Sequence, residues 1–296
     1  MSDIAPDASA PDTTSSALRD ALVPALRDTG KRVAGHVSAV LAALSAPRAV
    51  RGVLVYHRIV DPVPGLPEPT WNVPPGRFEA QIQGLLDAGV RFAPLDAVLA
   101  GEAAVAVTFD DVFGSVVTEA LPVLRRLGVP STLFVATAHV GAERMPFDDW
   151  EARDRAPVET TRAATLAELE ALSGDPLVTI GAHTHTHGDF RGRPDAFEAD
   201  LRTNLRWLAD RLAVQNPALA FPYGRTAYGY AGGELSRRAA AAGVAGALTT
   251  DAEAADGADP FAWPRSNVYA WDTARTIAAK LTGHYAWAPR LMERAE

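Results

Sequence analysis

The stretch AVAVTFDDVFGSV, residues 104–116, joins a short apolar run to two adjacent aspartates. Residues 104–109 have the length and the valine-rich composition of a buried parallel strand, and helical spacing begins at residue 115. A strand, a loop and a helix in this order form the repeating unit of α/β proteins. Asp110 and Asp111 therefore fall at the carboxyl end of a predicted strand, where such folds carry their functional groups.

The same alternation continues on both sides of this stretch. The sequence predicts strands over residues 52–57, 130–137, 176–183, 218–224 and 245–250, and helices over residues 74–90, 115–128, 165–174, 195–212 and 234–244. Six or seven such repeats predict parallel strands covered by helices, either in a barrel or in a doubly wound sheet. No glycine-rich phosphate loop follows the first strand, which disfavours a dinucleotide-binding sheet.

The composition is typical of a globular protein and argues against some classes of partner and some kinds of metal site. The chain has 296 residues, 48% of them hydrophobic, and a net charge of −8 with no long basic run, which argues against nucleic acid as a partner. It contains no cysteine, so disulfides and thiolate metal sites are excluded. Histidine, aspartate and glutamate remain as side-chain metal ligands.

The N-terminal region differs in composition from the α/β region that follows it. Small polar and acidic residues in 1–17 indicate a flexible tail, and the apolar stretch within KRVAGHVSAVLAALSAP, residues 31–47, is shorter than the ~18 residues of a bilayer span. We expect an amphipathic helix over 33–46 that docks on the domain, on a partner or peripherally on a membrane. No secretory signal is evident, which favours a cytoplasmic location. The predicted domains are 1–47, tail and helix, and 48–296, the α/β domain.

Polar residues with the chemistry of a metal site occupy several predicted strand ends. They are His57, Asp110 and Asp111, the three histidines His183, His185 and His187, and the segment Pro222-Tyr223-Gly224. A single aspartate after a strand is commonly a helix cap, but two adjacent carboxylates repel unless a cation or a shared proton relieves them. Three alternating histidines offer several imidazoles within a few ångströms. The set predicts a catalytic divalent-metal site, with zinc as the leading choice and cobalt, nickel or iron as alternatives.

The paired acids suggest a division of labour at such a site. A catalytic metal lowers the pKa of a coordinated water toward ~7 and polarises a carbonyl. One aspartate would bind the metal while its neighbour accepts a proton as general base. The spacing alone leaves open which aspartate has which role and which histidines bind.

The motifs TFDD, HTHTH and FPYG, in this order on repeated β/α units, resemble those of the polysaccharide deacetylase family, also called the NodB homology domain or carbohydrate esterase family 4. VLVYHRI, PSTLFV and WPRSNV are also similar to segments of its members, so the resemblance spans about residues 50–270. It implies a distorted (β/α)7 barrel, here with a flexible or helical N-terminal extension. It further implies metal-dependent hydrolysis of N-acetyl groups on a saccharide or glycolipid.

The resemblance also assigns roles to individual residues. Asp110 matches the catalytic base, and Asp111, His183 and His187 match the metal ligands. Thr184 matches the hydroxyl that braces the histidine loop. Pro222 and Tyr223 match a groove wall, with the Tyr223 backbone N–H helping to stabilise the oxyanion.

Two positions depart from the family pattern. Many members read Arg-x-Pro-Tyr in the third motif, and this arginine braces the catalytic aspartate. In this chain the position of the arginine is occupied by Ala220. We expect Arg265, at the end of a late predicted strand, to supply that guanidinium. The family's late Leu-x-His motif is absent, and His57 is the preferred candidate for the general acid or for substrate binding.

The predicted function is therefore metal-dependent removal of N-acetyl groups from a sugar of a polysaccharide, glycolipid or glycan precursor. Trp150, Tyr228 and Tyr230 are candidates to line the sugar groove, with packing of the loops as the alternative role for each. Three alternatives stay open. The same site can hydrolyse a different amide or ester, or the chain can be a non-catalytic glycan-binding barrel that retains the metal. The third is a structural domain without a metal, which the intact set of aspartate and histidines disfavours.

Overall fold

The computed structural model describes residues 29–40, 50–69, 71–251 and 258–285. Within these residues, seven parallel strands form one sheet in the order β6-β5-β4-β3-β2-β1-β7. The strands are β1 Gly52–Tyr56, β2 Val105–Phe109, β3 Ser131–Val135, β4 Val178–Ala182, β5 Leu219–Ala220, β6 Ala247–Leu248 and β7 Ser266–Asn267. The predicted strand order along the chain is thereby confirmed.

The two edges of the sheet meet beside β7. Trp263 donates its backbone N–H to Ala247 O at 2.9 Å and accepts from the Thr249 N–H at 2.7 Å, while β7 pairs with β1. A single bridge between Leu248 and Trp263 thus joins the β6 edge to the segment that leads into β7. The sheet is therefore a curled barrel of the predicted (β/α)7 type. It is distorted, because three of its strands are only two residues long.

Helices follow the strands and cover the outside of the sheet. Residues 29–40 are helical and are called α1. The others are α2 Pro75–Asp87, α3 Leu95–Leu99, α4 Leu121–Leu127, α5 Val158–Thr161, α6 Leu166–Leu172, α7 Pro194–Leu212, α8 Gly233–Ala242 and α9 Ala274–Leu281. A π-helical turn, Val116–Ala120, precedes α4 directly after the Asp110-Asp111 loop. None of the described helices is long and apolar enough to cross a bilayer.

The pattern of apolar residues explains this packing. All five residues of β1, β2 and β3 are buried, as expected for strands covered on both faces. In α7, Phe197, Leu201 and Leu208 are buried on one face at helical spacing. Full burial of one such side chain contributes about 1.5–3 kcal/mol. The outer helices are thereby fixed on the sheet, and the strand ends that they connect are held together at one end of the barrel.

The N-terminal helix packs on the barrel through one face. A β-carbon at Gly35 would lie 2.7 Å from the Trp271 ring, and Ala34 and Ser38 on the same face are buried. The opposite face exposes Val33, Val37 and Val40. Residues 41–46 of the predicted helix, the predicted tail over 1–17 and the predicted domain boundary after residue 47 lie outside the described residues.

Candidate active site

A cavity of about 250 Å³ opens at the carboxyl ends of the strands. Its lining includes most of the polar residues that the sequence places at strand ends. The lining residues are His57, Arg58, Pro69, Trp71, Asp110, Asp111, Phe113, Phe147, Asp148, Asp149, His183, His187, Tyr223, Thr250 and Asn267. The barrel therefore brings together side chains that are up to 210 residues apart in the sequence.

Three of these residues form a ligand set for a metal ion. Asp111 Oδ1 lies 3.3 Å from His183 Nε2 and 3.4 Å from His187 Nε2, and Oδ1 is buried without a hydrogen-bond partner. Two atoms bonded to one zinc ion at about 2.0–2.1 Å and at the tetrahedral angle lie about 3.3–3.4 Å apart. These two distances thus fit a first-row divalent ion of the size of zinc, and all three ligand atoms lie within 4.8 Å of one another.

The protonation states of this set also suit a metal. His183 Nδ1 lies 2.8 Å from the Ala220 carbonyl oxygen and donates to it, which leaves the Nε2 lone pair free. Burial alone would raise the pKa of Asp111, but its interactions with His183 and His187 outweigh burial and hold it well below its usual range. Asp111 is therefore an ionised ligand at neutral pH.

The backbone around the site is strained. Among the described residues, seven other than glycine have positive φ, and five of them belong to the site loops, with φ between 53° and 66°: Asp111, Val112, Thr184, His187 and Tyr223. Val112 and Thr184 are β-branched, for which this region is especially unfavourable. Each such residue costs about 1–3 kcal/mol and persists only where its surroundings fix it. The free energy of unfolding is thus lower than it would be without these strained residues, and the strain fixes the directions of their side chains.

The second aspartate, Asp110, pairs with Arg265. Arg265 donates from Nη1 to Oδ1 at 2.6 Å and from Nη2 to Oδ2 at 2.7 Å, with both side chains almost fully buried. Burial alone would raise the pKa of Asp110, but the charges of Arg265 and His183 and the two hydrogen bonds outweigh it, and the net pKa lies below its usual value. Asp110 is an ionised carboxylate beside the three metal-type ligands.

Arg265 is held by further contacts besides its pair with Asp110. It donates from Nε to Thr249 O at 2.9 Å, and its guanidinium lies 5.4 Å from the centre of the Phe134 ring. A β-carbon at Gly181, beside Phe134 on the next strand, would lie 2.4 Å from that ring. Arg265 therefore reaches Asp110 from the β7 side, as the sequence suggested, and its catalytic contribution stays a prediction.

The histidine loop is braced from two directions. The Thr184 hydroxyl accepts the His187 N–H at 3.2 Å, and Asn204 of α7 donates from Nδ2 to Thr184 O at 2.6 Å and to Val135 O at 2.9 Å. Asp200, one turn earlier, accepts the backbone N–H groups of His185 and Thr186. Sequence reasoning missed Asn204 and Asp200. The available signal was a buried polar residue, Asn204, on the apolar face of α7.

His57 lines the cavity at the end of β1. Its ring lies 5.2 Å from that of Trp71, which in turn stacks on Tyr269. Burial lowers the pKa of His57, and the nearby charges of Asp111 and Asp110 offset this only in part. The neutral imidazole therefore predominates at neutral pH. His185, in contrast, turns away from the cavity and bonds Thr137 Oγ1 through Nδ1 at 2.9 Å.

The third motif contributes Tyr223 but not Pro222 to the cavity wall. Tyr223 is about half exposed, its ring contacts the edge of His187, and its backbone N–H donates to no other described residue. Pro222 is buried and does not line the cavity. The expectation that both residues form a wall holds for Tyr223 alone, because the chain turns at the positive φ of Tyr223.

The aromatic lining differs from the expected one. Trp150 is buried, donates from Nε1 to Pro67 O at 2.8 Å and packs on Val63 and Leu66, so its prediction as a groove residue is wrong. Tyr228 and Tyr230 do not line the cavity either. Trp71, Phe113 and Phe147 do, because the loops after β1, β2 and β3 fold over the barrel mouth. Single loop aromatics gave no sequence signal to distinguish these two groups.

Residues 99–243 match the family model described as Polysaccharide deacetylase. This range contains the paired aspartates and the histidine loop, whereas His57 and Arg265 lie outside it. No curated protein sequence matches the chain at a significant level.

Several solved structures share the fold. The deacetylase PplD of Streptococcus pyogenes, in complex with acetate, is 20% identical with a TM-score of 0.61, over 80% of this chain and 99% of that one. IcaB from Ammonifex degensii is 22% identical with a TM-score of 0.63, over 79% and 97%. A de-N-acetylase from Aggregatibacter actinomycetemcomitans is 14% identical with a TM-score of 0.62, over 78% and 99%. At these identities the likeness supports the architecture.

The family match covers the residues that carry the expected motifs, and the barrel matches that of solved deacetylases. Residues 99–243 therefore belong to the polysaccharide deacetylase family, and the chain is a hydrolase of the N-deacetylase type.

Proposed function

We propose that this chain hydrolyses N-acetyl groups on a sugar of a polysaccharide, glycolipid or glycan precursor, using a divalent metal held by Asp111, His183 and His187. The observation that carries the proposal is the position of Asp110. It is a buried, ionised carboxylate directly beside three metal-type ligands in one cavity. This pairing of a proton acceptor with a ligand set is what hydrolysis by an activated water requires.

Zinc is the metal that we propose, because two imidazole nitrogens and one carboxylate oxygen suit zinc and its first-row neighbours better than magnesium or calcium. When bound, such an ion polarises a carbonyl and makes a nearby water more acidic. The protein holds the ligand side chains in the tautomer and orientation that metal binding requires. The Ala220 carbonyl fixes the tautomer of His183, and the brace from Thr184 and Asn204 fixes the loop that carries His187.

Asp110 is the general base in this proposal. Arg265 holds both of its carboxylate oxygens in a fixed plane and keeps the group ionised, while each oxygen retains a lone pair that can accept a proton from the attacking water. The same carboxyl can then return the proton to the departing amine. General acid–base catalysis of this kind contributes about 10²–10⁴ in rate.

Two further residues contact the reacting group in this proposal. The Tyr223 backbone N–H, which has no partner among the described residues, can donate to the developing oxyanion. One such donor contributes about 2.7–4 kcal/mol to transition-state stabilisation. The lowered pKa of His57 favours a neutral ring. We therefore assign His57 to substrate hydrogen bonding in preference to the general-acid role.

The test is acetate release from a panel of N-acetylated saccharides and glycolipids, after chelation and reloading with zinc or cobalt. Wild type is compared with Asp110→Asn and Asp111→Asn, with metal content measured for each. We expect metal-dependent release by wild type, bound metal without release in Asp110→Asn, and loss of metal in Asp111→Asn. Cleavage of only O-acetyl esters or of other amides would identify a different hydrolase. Bound metal with no cleavage of amides or esters would identify a glycan-binding barrel.

A further inference from the structure

The two histidines of the ligand set are held in different ways. His183 donates from Nδ1 to the Ala220 carbonyl, as metal-binding histidines usually do. His187 has no such contact, because its Nδ1 is buried and hydrogen-bonds to no other described residue. Some other interaction must therefore fix the plane of the His187 ring.

That interaction is aromatic. The ring of Phe147 stacks on the ring of His187 with 3.9 Å between centres and 13° between planes, the closest ring pair among the described residues. Tyr223 and His183 meet His187 edge-on at 5.0 Å and 4.9 Å. His139 supports Phe147 from the side at 5.0 Å. The imidazole of His187 can leave its plane only by breaking the stack with Phe147.

Phe147 is itself held on a firmly anchored segment between β3 and α5. Arg153 donates from Nη1 to Pro146 O at 2.9 Å and to Asp148 O at 2.7 Å, which are the carbonyls on either side of Phe147. The Asp148 carboxylate pairs with Arg58 at the end of β1. The segment is therefore tied to the barrel next to Phe147 through its backbone and through a side chain.

The Arg58 end of this tie is rigid. Arg58 is 2% exposed, and its guanidinium lies between the rings of Phe113 at 4.3 Å and Trp150 at 5.2 Å. A buried ion pair between aromatic faces keeps one geometry, since either partner alone would be an uncompensated buried charge. The position of Phe147 over His187 is thus set by the fold of the segment.

We propose that Phe147 is a positioning residue that orients the metal ligand His187 by stacking, in the role that the hydrogen bond donated by Nδ1 has for His183. The inference deepens the proposed function and rests on His187 as a metal ligand. It assigns a task to the segment over residues 141–157, which would otherwise count as a cavity wall. It also distinguishes the two histidines, because only His187 depends on that segment.

The test measures metal affinity without substrate. Full-length protein is stripped with a chelator, and the zinc dissociation constant is obtained by competition with a chromogenic chelator. The visible absorption of the cobalt-loaded protein reports the coordination geometry. Phe147→Leu keeps an apolar side chain but removes the ring, and we expect it to weaken zinc binding about 10-fold and to change the cobalt spectrum. Phe147→Tyr keeps the stacking face, and we expect it to bind zinc within about threefold of wild type.

A control separates stacking from general loosening of the segment. Met145 is buried on the same segment, in the cluster with Phe113 and Ala163, and has no ring with which to contact His187. Because Phe147 packs against this cluster, Met145→Ala should loosen the segment but keep the stacking ring, and we expect it to weaken zinc binding clearly less than Phe147→Leu does. Equal weakening in Met145→Ala and Phe147→Leu would overturn the proposal, as would unchanged affinity and spectrum in Phe147→Leu.

The outcomes also distinguish this inference from the proposed function. A wild type that binds zinc but releases no acetate contradicts the proposed function, while the affinity series still decides the role of Phe147. A wild type that binds no zinc, cobalt or other first-row ion overturns both.

Discussion

Arg265 and Asp110, 155 residues apart in the sequence, face each other through two parallel hydrogen bonds of 2.6 Å and 2.7 Å at the buried end of the cavity. This bidentate geometry is the strongest form of an arginine–carboxylate contact. It fixes both carboxylate oxygens next to the metal-type ligands, so the direction in which Asp110 accepts a proton depends on Arg265.

Arg265→Lys should separate charge from geometry. Lysine keeps the positive charge but cannot hold both oxygens, so we expect kcat to fall about 10-fold or more while the metal affinity is retained. Arg265→Met leaves Asp110 buried without a counter-charge, and we expect a loss of about 3–5 kcal/mol in the free energy of unfolding. The double variant Arg265→Met with Asp110→Asn should recover part of this loss in denaturant titrations. Full activity in Arg265→Lys would contradict the role of the paired geometry.

Asn204→Leu should loosen the histidine loop from behind. The change removes the donor to Thr184 O, Val135 O and Thr137 Oγ1 while keeping a similar size. We expect a cost of about 1–3 kcal/mol in the free energy of unfolding, because buried acceptors lose their partner. Zinc affinity should fall about 10-fold, as measured by chelator competition. Thr203→Ala, at a neighbouring position on the same helix, serves as the control. An equal effect of Thr203→Ala would contradict the role of Asn204 in holding the histidine loop.

Gly35→Ala tests whether α1 is docked as the structure shows. Alanine is favoured over glycine in a helix by about 1 kcal/mol, so an undocked α1 would gain stability. In the docked helix the new β-carbon would lie 2.7 Å from Trp271, and we expect α1 to be displaced instead. Hydrogen exchange of residues 29–40 should then become faster. Gly76→Ala in α2, where a β-carbon meets nothing within 4 Å, is the matched control and should be neutral or stabilising.

Metal loading should stabilise the protein through the three ligands. A ligand at one hundred times its dissociation constant adds about 2.7 kcal/mol to the free energy of unfolding, which thermal unfolding with and without zinc would detect as a higher Tm. His187→Ala should abolish this gain. His185 lies on the same loop, but its side chain bonds Thr137 and is not one of the three ligands. His185→Ala should therefore retain the stabilisation by zinc. Loss of the gain in His185→Ala would place the metal elsewhere in the loop.

Much of the architecture followed from local patterns. Alternating runs of apolar strand residues and helically spaced residues predicted the succession of strands and helices along the chain, because side-chain periodicity depends only on neighbours along the chain. The same reasoning placed Asp110, Asp111, His183 and His187 at strand ends, and strand ends of a parallel sheet lie at one edge. The short helix α3 and the π-helical turn before α4 were missed, since neither is long enough to produce a period.

The chemical groups at the barrel mouth follow from the sequence alone: paired carboxylates, neighbouring imidazoles and no thiols. Which of these side chains touch depends on the tertiary structure. It placed Arg265 on Asp110, Asn204 behind the histidine loop and Phe147 on His187, and it buried Trp150 away from the cavity. Such contacts depend on which loops the curled sheet brings together. The distances between those loops are set by packing across the whole domain, which no local pattern of residues encodes.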